Sequence, residues 1–381
     1  MRNHETSRVG RLLALGPTLF DGLSRYILNA GAFLEGKIKQ PETRAERLKY
    51  TRLMGYVAVL RSGGFGALAT ALPLLFVYFG VLPLIPKMNP DGTSFGGWYM
   101  VAFYVLIVFV SLMAAVLELF LLYNDAVRYA GKMNHATSRA IDRENEASKA
   151  IESALPAGLT KAALGMVKDR SPKHGINPLE KSSKTGAAAK GLAFKANVWI
   201  VNAIVKQMFR RNFTRVLGRT APRAFIEWLL LPVYVFWNMF GSTKVMNELI
   251  ARANGPEAAA ELVKQVGWRN GLSAPLQGPA KFAITQHVVR SKAFHPNIEF
   301  VLLKLGLDKT EEKASMGDVR KLDPVEKIQL AKFIVALPYL EVRKIRVEEA
   351  LWAFVVDVLS EEERRAWQEA CKSYIRRGVP F

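Results

Sequence analysis

The chain has 381 residues, with 53 Lys or Arg against 33 Asp or Glu, and a formal net charge of +20. Half of its residues are apolar, which excludes a wholly disordered chain. A single cysteine, Cys371, excludes an internal disulfide and a cysteine-rich zinc site. The mean hydropathy of +0.09 beside so large a charge indicates that the apolar residues are concentrated in blocks.

The first predicted element lies in residues 1–61, which we interpret as a cytoplasmic amphipathic N-terminal region. Apolar side chains recur at helical spacing over residues 9–35, among them Leu12, Leu15, Leu19 and Leu23. Such a helix packs either on a membrane surface or on the rest of the cytoplasmic body.

Two long charge-free runs follow, over residues 62–86 and 92–117. About 20 apolar residues span a bilayer as a helix. A short link with strong turn chemistry, Asn89 to Gly92, joins the runs. We therefore predict a transmembrane helical hairpin over residues 62–123. The alternative is a pair of buried helices in a large soluble core.

The distribution of charge predicts how this hairpin is oriented. Residues 1–62 hold eleven Lys or Arg against five Asp or Glu, whereas the link holds one Lys and one Asp. Cationic residues are enriched on the cytoplasmic side of membrane helices. We therefore expect a bacterial inner-membrane protein with both termini in the cytoplasm and only the link outside.

Small residues predict how the membrane helices pack. They recur every four residues in both runs, at Gly63, Ala67 and Ala71 and at Ser111 and Ala115. Such faces let helix backbones approach closely, although Gly and Ala are also common in any membrane helix. Glu118, at the cytoplasmic end of the second run, is either an interfacial side chain or a functional carboxylate.

Residues 124–191 read as a polar helix, continuing from the second run, and a basic linker. Residues 192–255 then combine a basic amphipathic helix with a third apolar block, residues 225–241, which contains Pro232. Basic residues flank this block on both sides, which does not favour crossing. We predict a Pro-broken helix that is buried or re-entrant and is not a third span.

The positive charge is concentrated before this block. Residues 165–223 hold thirteen Lys or Arg against two acids, a net charge of +11. A chain tethered to the membrane meets lipid headgroups at a high effective concentration. We therefore predict contact with anionic phospholipid headgroups, to which each cation contributes about 1 kcal/mol of binding free energy. A solvated face and nucleic-acid binding rank below it. The residues predicted to contact lipid are Lys206, Arg210, Arg211, Arg215 and Arg219.

Residues 256–381 are predicted to form a helical cytoplasmic domain. Asp323 before Pro324 and Ser360 before three glutamates are helix N-terminal signals. Few segments alternate with a period of two, so no sheet of any size is expected. The fold class that follows is all-α, with a transmembrane hairpin and an α-helical cytoplasmic body.

No motif for a nucleotide, a catalytic metal or an esterase nucleophile occurs in the chain. The five histidines are not spaced as ligands of one metal, and His295 is interpreted as a surface or capping residue. Cys371, on an apolar helix face, is interpreted as a buried structural thiol. No cofactor or metal is expected, and catalytic residues remain unknown.

The favoured hypothesis is a non-enzymatic inner-membrane protein whose basic cytoplasmic body docks on anionic lipid and binds protein partners. The first alternative is a subunit of an oligomeric pore or transporter, for which a homo-oligomer is left open. The second is a membrane-tethered enzyme whose site the sequence does not reveal.

Overall fold

The computed structural model shows an all-α protein. It describes residues 41–76, 79, 97–137, 155–156, 158–159, 162–163, 169–179, 223–269, 271–308, 317–342 and 345–381. Within those ranges there is no β-strand, only one isolated bridge between Lys173 and Ile176. The predicted absence of a sheet therefore holds for the described part of the chain.

Among the described residues, three long helices come first. They are α1 (Arg44–Leu75), α2 (Gly97–Thr137) and α3 (Arg223–Ala253). Shorter helices complete the chain: α4 (Gly255–Gln265), α5 (Ala274–Ser291), α6 (Pro296–Lys304), α7 (Pro324–Ala336), α8 (Glu349–Val358) and α9 (Glu361–Arg377). Two 3-10 turns, Gly317–Lys321 and Leu337–Leu340, connect them.

The chain divides into two compact units. We call residues 1–58, 123–180 and 243–381 the helical body, and residues 59–122 and 181–242 the apolar unit. The helical body has a close-packed interior to which α4, α5, α6 and α7 contribute Leu262, Ile284, Val301 and Phe333, each at most 1% exposed. Burial of such side chains is the main stabilising contribution to a fold of this kind.

Local signals in the sequence set the ends of several helices. Asp323 accepts a hydrogen bond from the main-chain N–H of Glu326, and Ser360 accepts one from that of Glu363, so each begins its helix with a capping box. Pro256 lies in the first turn of α4, two residues after the N-cap Asn254. The two helix starts predicted at Asp323 and Ser360 are confirmed.

The segment predicted to continue as a polar helix after residue 123 is helical as far as Thr137, and most of it is buried. Its residues 125–127, 129–131 and 133–137 are buried, Asp125, Asn134 and His135 among them. The sequence shows no single apolar face there because this end of α2 is covered on more than one side. Residues 138–154 lie outside the described part.

Two features of the third block also differ from prediction. The helix α3 continues through Pro232 without a break, because the hydrogen bonds of a 31-residue helix on either side outweigh the one that proline removes. Its described side chains are not buried either, since Val233, Tyr234 and Phe236 are at least 50% exposed.

The two charge-free runs are helical where the structure describes them, in α1 up to Leu75 and in α2 from Gly97. No helix among the described residues has the length and apolarity needed to cross a membrane. The transmembrane hairpin therefore stays a prediction. Its turn, residues 89–92, and the predicted amphipathic helices in residues 9–35 and 192–219 lie outside the described residues.

Candidate functional site

The described helices of the apolar unit expose many large apolar side chains. On α2, Phe109 is 59% and Phe120 is 64% exposed, and on α3 Phe236 is 65% and Trp237 is 66% exposed. Leu68 on α1 is 55% exposed. Proteins that are surrounded by water rarely expose large contiguous apolar patches. This surface is consequently the first candidate for a functional site.

A small polar cluster lies within the same unit, where α1, α2 and α3 meet. The side-chain amide of Asn238 donates a hydrogen bond to the Glu118 carboxylate. The Ser62 hydroxyl donates to the main-chain carbonyl of Val59 at 2.7 Å and lies 3.4 Å from the carbonyl oxygen of Asn238. Ser62 is buried, and Glu118 and Asn238 are half-buried.

Glycine makes this close approach of helices possible. A Cβ at Gly66 would overlap the Asn238 amide, and one at Gly63 would lie 2.9 Å from Met239 Cγ. Gly63, predicted to pack the hairpin, therefore contacts α3, the helix of the third block. Ala67 and Ala71 are half-buried, Ala115 is exposed, and the side chain of Ser111 is not described.

The residues predicted to contact lipid cannot be placed. Lys206, Arg210, Arg211, Arg215 and Arg219 all lie outside the described residues. Their assignment still depends on sequence alone.

A buried ionic network lies in the helical body, and sequence analysis missed it. On α3, the Arg252 guanidinium lies 2.9 Å from the Glu248 carboxylate, and its Nη1 donates to the Gly158 carbonyl at 2.7 Å. His295 Nε2 lies 3.1 Å from the same carboxylate. Arg252, Glu248 and His295 are 2%, 5% and 7% exposed. The i,i+4 spacing of Glu248 and Arg252 was a visible signal; the pairing with His295 was not.

His295 is the N-cap of α6, as predicted, but it is buried and not on the surface. Its Nδ1 accepts a hydrogen bond from the main-chain N–H of Asn297 at 3.2 Å, which assigns the ring proton to Nε2. Nε2 therefore donates to Glu248. Burial alone would raise the pKa of the Glu248 carboxyl, but the hydrogen bond from His295 and the charge of Arg252 together lower it.

A second charged cluster lies at a tight turn. His174 and Gly175 both have positive φ (51° and 75°), and the turn is closed by main-chain hydrogen bonds between Lys173 and Ile176. The Lys173 ammonium lies 3.0 Å from Glu299 on α6, and His174 Nε2 lies 3.2 Å from it. Burial lowers the pKa of Lys173, but Glu299 and then Asp169 raise it above its ordinary value, so this lysine stays charged. These contacts attach residues 169–179 to α6.

A small pocket borders a third polar pair. His287 Nε2 lies 2.9 Å from the Glu341 carboxylate, with both side chains buried. Beside His287 the pocket is lined by Ile334, Leu337 and Leu351, with Arg346 and Glu348 near them. The Glu348 carboxylate already accepts main-chain hydrogen bonds at the start of α8. The narrow pocket therefore offers a buried imidazole but no room for a sizeable substrate.

Cys371 is buried and forms no disulfide, as predicted. Burial raises the pKa of its thiol to about 12, so the thiolate is scarce at neutral pH. Among the described residues, no three His, Cys, Asp or Glu side chains are grouped to hold a metal ion.

Comparison with known proteins gives no relative from which residue roles carry over. No family model matches the chain, and no curated protein and no solved structure matches it either. A functional proposal must therefore stand on the residues themselves.

Proposed function

We propose that this chain is a non-enzymatic protein of the bacterial inner membrane. In this proposal the apolar unit lies in the bilayer, and the helical body is a cytoplasmic domain that docks on anionic lipid and binds protein partners. One observation carries it: the described helices of the apolar unit expose large apolar side chains, as α2 does at Phe109 and Phe120. In lipid such a surface is solvated, whereas in water it promotes aggregation.

The ends of the three long helices support the same proposal. The chain passes from one unit to the other near residues 58, 122 and 242. Close to each of these points lies an exposed aromatic residue with a polar group: Tyr56 (69%), Tyr123 (45%) and Trp237 (66%). Such residues concentrate at membrane interfaces, and cations concentrate just cytoplasmic of them. Arg128 on α2 and Lys244 on α3 lie on the helical-body side of these aromatic residues, whereas Arg61 on α1 lies within the apolar unit.

The division of the chain supports one orientation. Residues 1–58, 123–180 and 243–381 all belong to the helical body. A compact folded unit lies on one side of a membrane, so the chain must return to that side each time. This favours an even number of crossings by the hairpin. Because α3 is one unbroken helix through Pro232, it does not support a re-entrant course for residues 225–241.

Docking on anionic lipid is supported by the sequence of residues 165–223, whose net charge is +11. That the helical body binds protein partners is proposed from the sequence analysis alone. The remaining candidate function, an oligomeric pore or transport subunit, is favoured by one observation, the Glu118–Asn238 pair within the apolar unit. The oligomeric state in detergent separates the two: a monomer or dimer supports the first and a larger ring supports the second.

The membrane assignment is tested by two substitutions at equally exposed apolar residues. Phe109, in the apolar unit, is 59% exposed, and Val325, in the helical body, is 62% exposed. A lysine in the middle of a membrane helix costs about 3 kcal/mol. We expect Phe109→Lys to reduce the protein recovered in carbonate-washed membranes several-fold, and Val325→Lys to leave it unchanged. Wild-type protein that is released by carbonate, or stays in solution without detergent, would refute the proposal.

A further inference from the structure

The helix α8 carries apolar side chains on two faces, and only one of these faces is buried. Leu351 and Val355 are at most 2% exposed and pack into the helical body. Trp352 and Val356 are 37% and 47% exposed, and Ala353 is exposed beside them. Residues at this spacing adjoin on a helix surface, and we call these three the α8 strip. The described helices cover the first face of α8 and leave the α8 strip open.

Acidic residues surround the α8 strip. Glu349 and Asp357 are exposed at its two ends. Residues 347–363 contain six Asp or Glu and no Lys or Arg, in a chain whose net charge is +20. Such a patch repels anionic phospholipid and nucleic acid. Two copies that met through this surface would bring like charges together. The chemistry therefore favours a cationic amphipathic segment of protein as the occupant.

The chain itself contains a segment of this kind. Residues 1–40 lie outside the described residues and hold six Lys or Arg against three Asp or Glu. The leucines of the amphipathic helix predicted over residues 9–35 form one apolar stripe, and Arg8 and Arg11 lie at its beginning. An apolar stripe with cations at one end is complementary to an apolar strip between acids.

The start of α1 places this segment within reach of α8. Arg44 Nε donates a hydrogen bond to the Tyr374 carbonyl at 3.3 Å, and its guanidinium lies 4.1 Å from the centre of the Tyr374 ring. Residues 1–40 therefore join α1 beside the end of α9. This helix has 17 residues, a length of about 25 Å, and its other end follows α8. Residues 18–35 in helical conformation extend about 27 Å, so a helix that runs back along α9 brings residues 8–19 to α8.

We propose that the α8 strip is the docking surface for residues 8–35 of the same chain. The leucines of the segment cover the α8 strip, and Arg8 and Arg11 lie close to the acids around it. Covalent connection gives the segment a high effective concentration at this surface. The N-terminal helix then packs on the helical body and does not lie on the membrane surface. Because all of these residues belong to the helical body, the proposal is independent of membrane insertion.

The test is the rate at which a maleimide modifies single cysteines in the full-length protein, in mild detergent and a Cys371→Ala background. Val356→Cys reports on the α8 strip, and Val325→Cys, at a residue of α7 that is 62% exposed, is the reference. We expect position 356 to react at least ~10-fold more slowly than position 325, because only position 356 is covered by the docked helix.

Two identical substitutions within the segment show whether it provides the protection. Leu19→Asp lies on the apolar stripe and should bring the reaction rate of position 356 close to that of position 325. Leu28→Asp lies on the opposite side of the predicted helix and should leave the protection in place. Equal rates at positions 356 and 325 without these changes, or protection that persists in Leu19→Asp, would overturn the proposal. Protection that is lost on dilution would also overturn it, because it would identify a second copy as the occupant.

Charge reversal tests the complementarity separately. Arg8→Glu combined with Arg11→Glu should speed the modification of position 356, because it places acids against acids. Adding Glu349→Lys and Asp357→Lys to that variant should restore the protection. Unchanged protection after the first pair of changes, or no recovery after the second, would contradict docking through these charges.

Discussion

His295 Nε2 lies 3.1 Å from Glu248 Oε1, although 47 residues separate them in sequence. This hydrogen bond ties the end of α3 to the start of α6, because His295 also caps α6 through its Nδ1. Arg252 neutralises the same carboxylate from one turn further along α3. Three buried polar side chains thus satisfy one another where two helices meet.

Removing the charge of Glu248 should destabilise the helical body strongly. Glu248→Gln leaves the Arg252 guanidinium, 2% exposed, without its counter-charge, and breaking a buried pair in this way costs about 3–5 kcal/mol. Glu261→Gln is the matched control, because its partner Lys264 has a side chain that is 52% exposed. It should change the unfolding free energy by less than about 0.5 kcal/mol. Chemical denaturation measures both; equal effects would contradict the account of the network.

The same network predicts how the stability of the folded protein depends on pH. The pKa of Glu248 is lower in the folded protein than its ordinary value of 4.5, so the folded state favours the charged carboxylate. Its contribution is fully present above pH 4.5 and is lost as the pH falls through the lower folded pKa. We expect the wild type to lose stability more steeply than Glu248→Gln below pH 4.5. Parallel curves of midpoint against pH would show that Glu248 does not contribute.

Alanine at two helical glycines should change stability in opposite directions. A Cβ at Gly255 would collide with the Asn297 side chain, which donates hydrogen bonds to the main-chain carbonyls of Ala251 and Leu340. Gly64 on α1 has no atom within 4 Å of such a Cβ. Gly64→Ala should stabilise by up to about 1 kcal/mol through helix propensity, whereas Gly255→Ala should destabilise by about 1–3 kcal/mol. Thermal unfolding decides the sign, and stabilisation by Gly255→Ala would contradict the close contact.

Cys371 should resist alkylation while the protein is folded. It is buried, and the pKa of its thiol is raised to about 12. We expect negligible modification by iodoacetamide over an hour at pH 7.5 and complete modification in guanidinium chloride, both read by mass spectrometry. Stoichiometric modification of the folded protein within minutes would show that the thiol is accessible.

The five cationic residues predicted to contact lipid should determine which lipids remain bound after purification. Changing Lys206, Arg210, Arg211, Arg215 and Arg219 to Gln removes five positive charges with little change in helix propensity. We expect the wild type in mild detergent to retain anionic phospholipid, measured by thin-layer chromatography, and to release it in 0.5 M salt. The five-residue variant should retain little. Unchanged lipid in the variant, with tight binding of single-stranded RNA or DNA by the wild type, would favour the nucleic-acid interpretation.

Features that short segments determine could be predicted from the sequence. The capping boxes at Asp323 and Ser360 depend on residues within one helical turn, and both were recognised. A break at Pro232 was predicted, but α3 continues through it. Whether a proline breaks a helix depends on the stability of the whole helix, which the residues next to the proline do not reveal. The pairing of His295 with Glu248 was missed because it depends on tertiary packing, which has no local pattern.

In the candidate sites, too, local features could be predicted from the sequence, whereas contacts between distant residues could not. Gly63 was selected from its spacing, and it does lie at a helix contact, but the contact is with α3, since spacing does not identify the partner. Glu118 was noted as an unusual carboxylate, whereas its hydrogen bond with Asn238 could not be foreseen across 120 residues.

The central claim, that the apolar unit lies in the membrane with both of its flanks in the cytoplasm, is tested most directly by thiol accessibility in whole cells. In a Cys371→Ala background, Ser94→Cys places a thiol in the predicted external link and Ser148→Cys places one after the second run. The account predicts that a membrane-impermeant maleimide labels position 94 in intact cells and labels position 148 only after lysis. Labelling of position 148 in intact cells, or protection of position 94 until lysis, would contradict it.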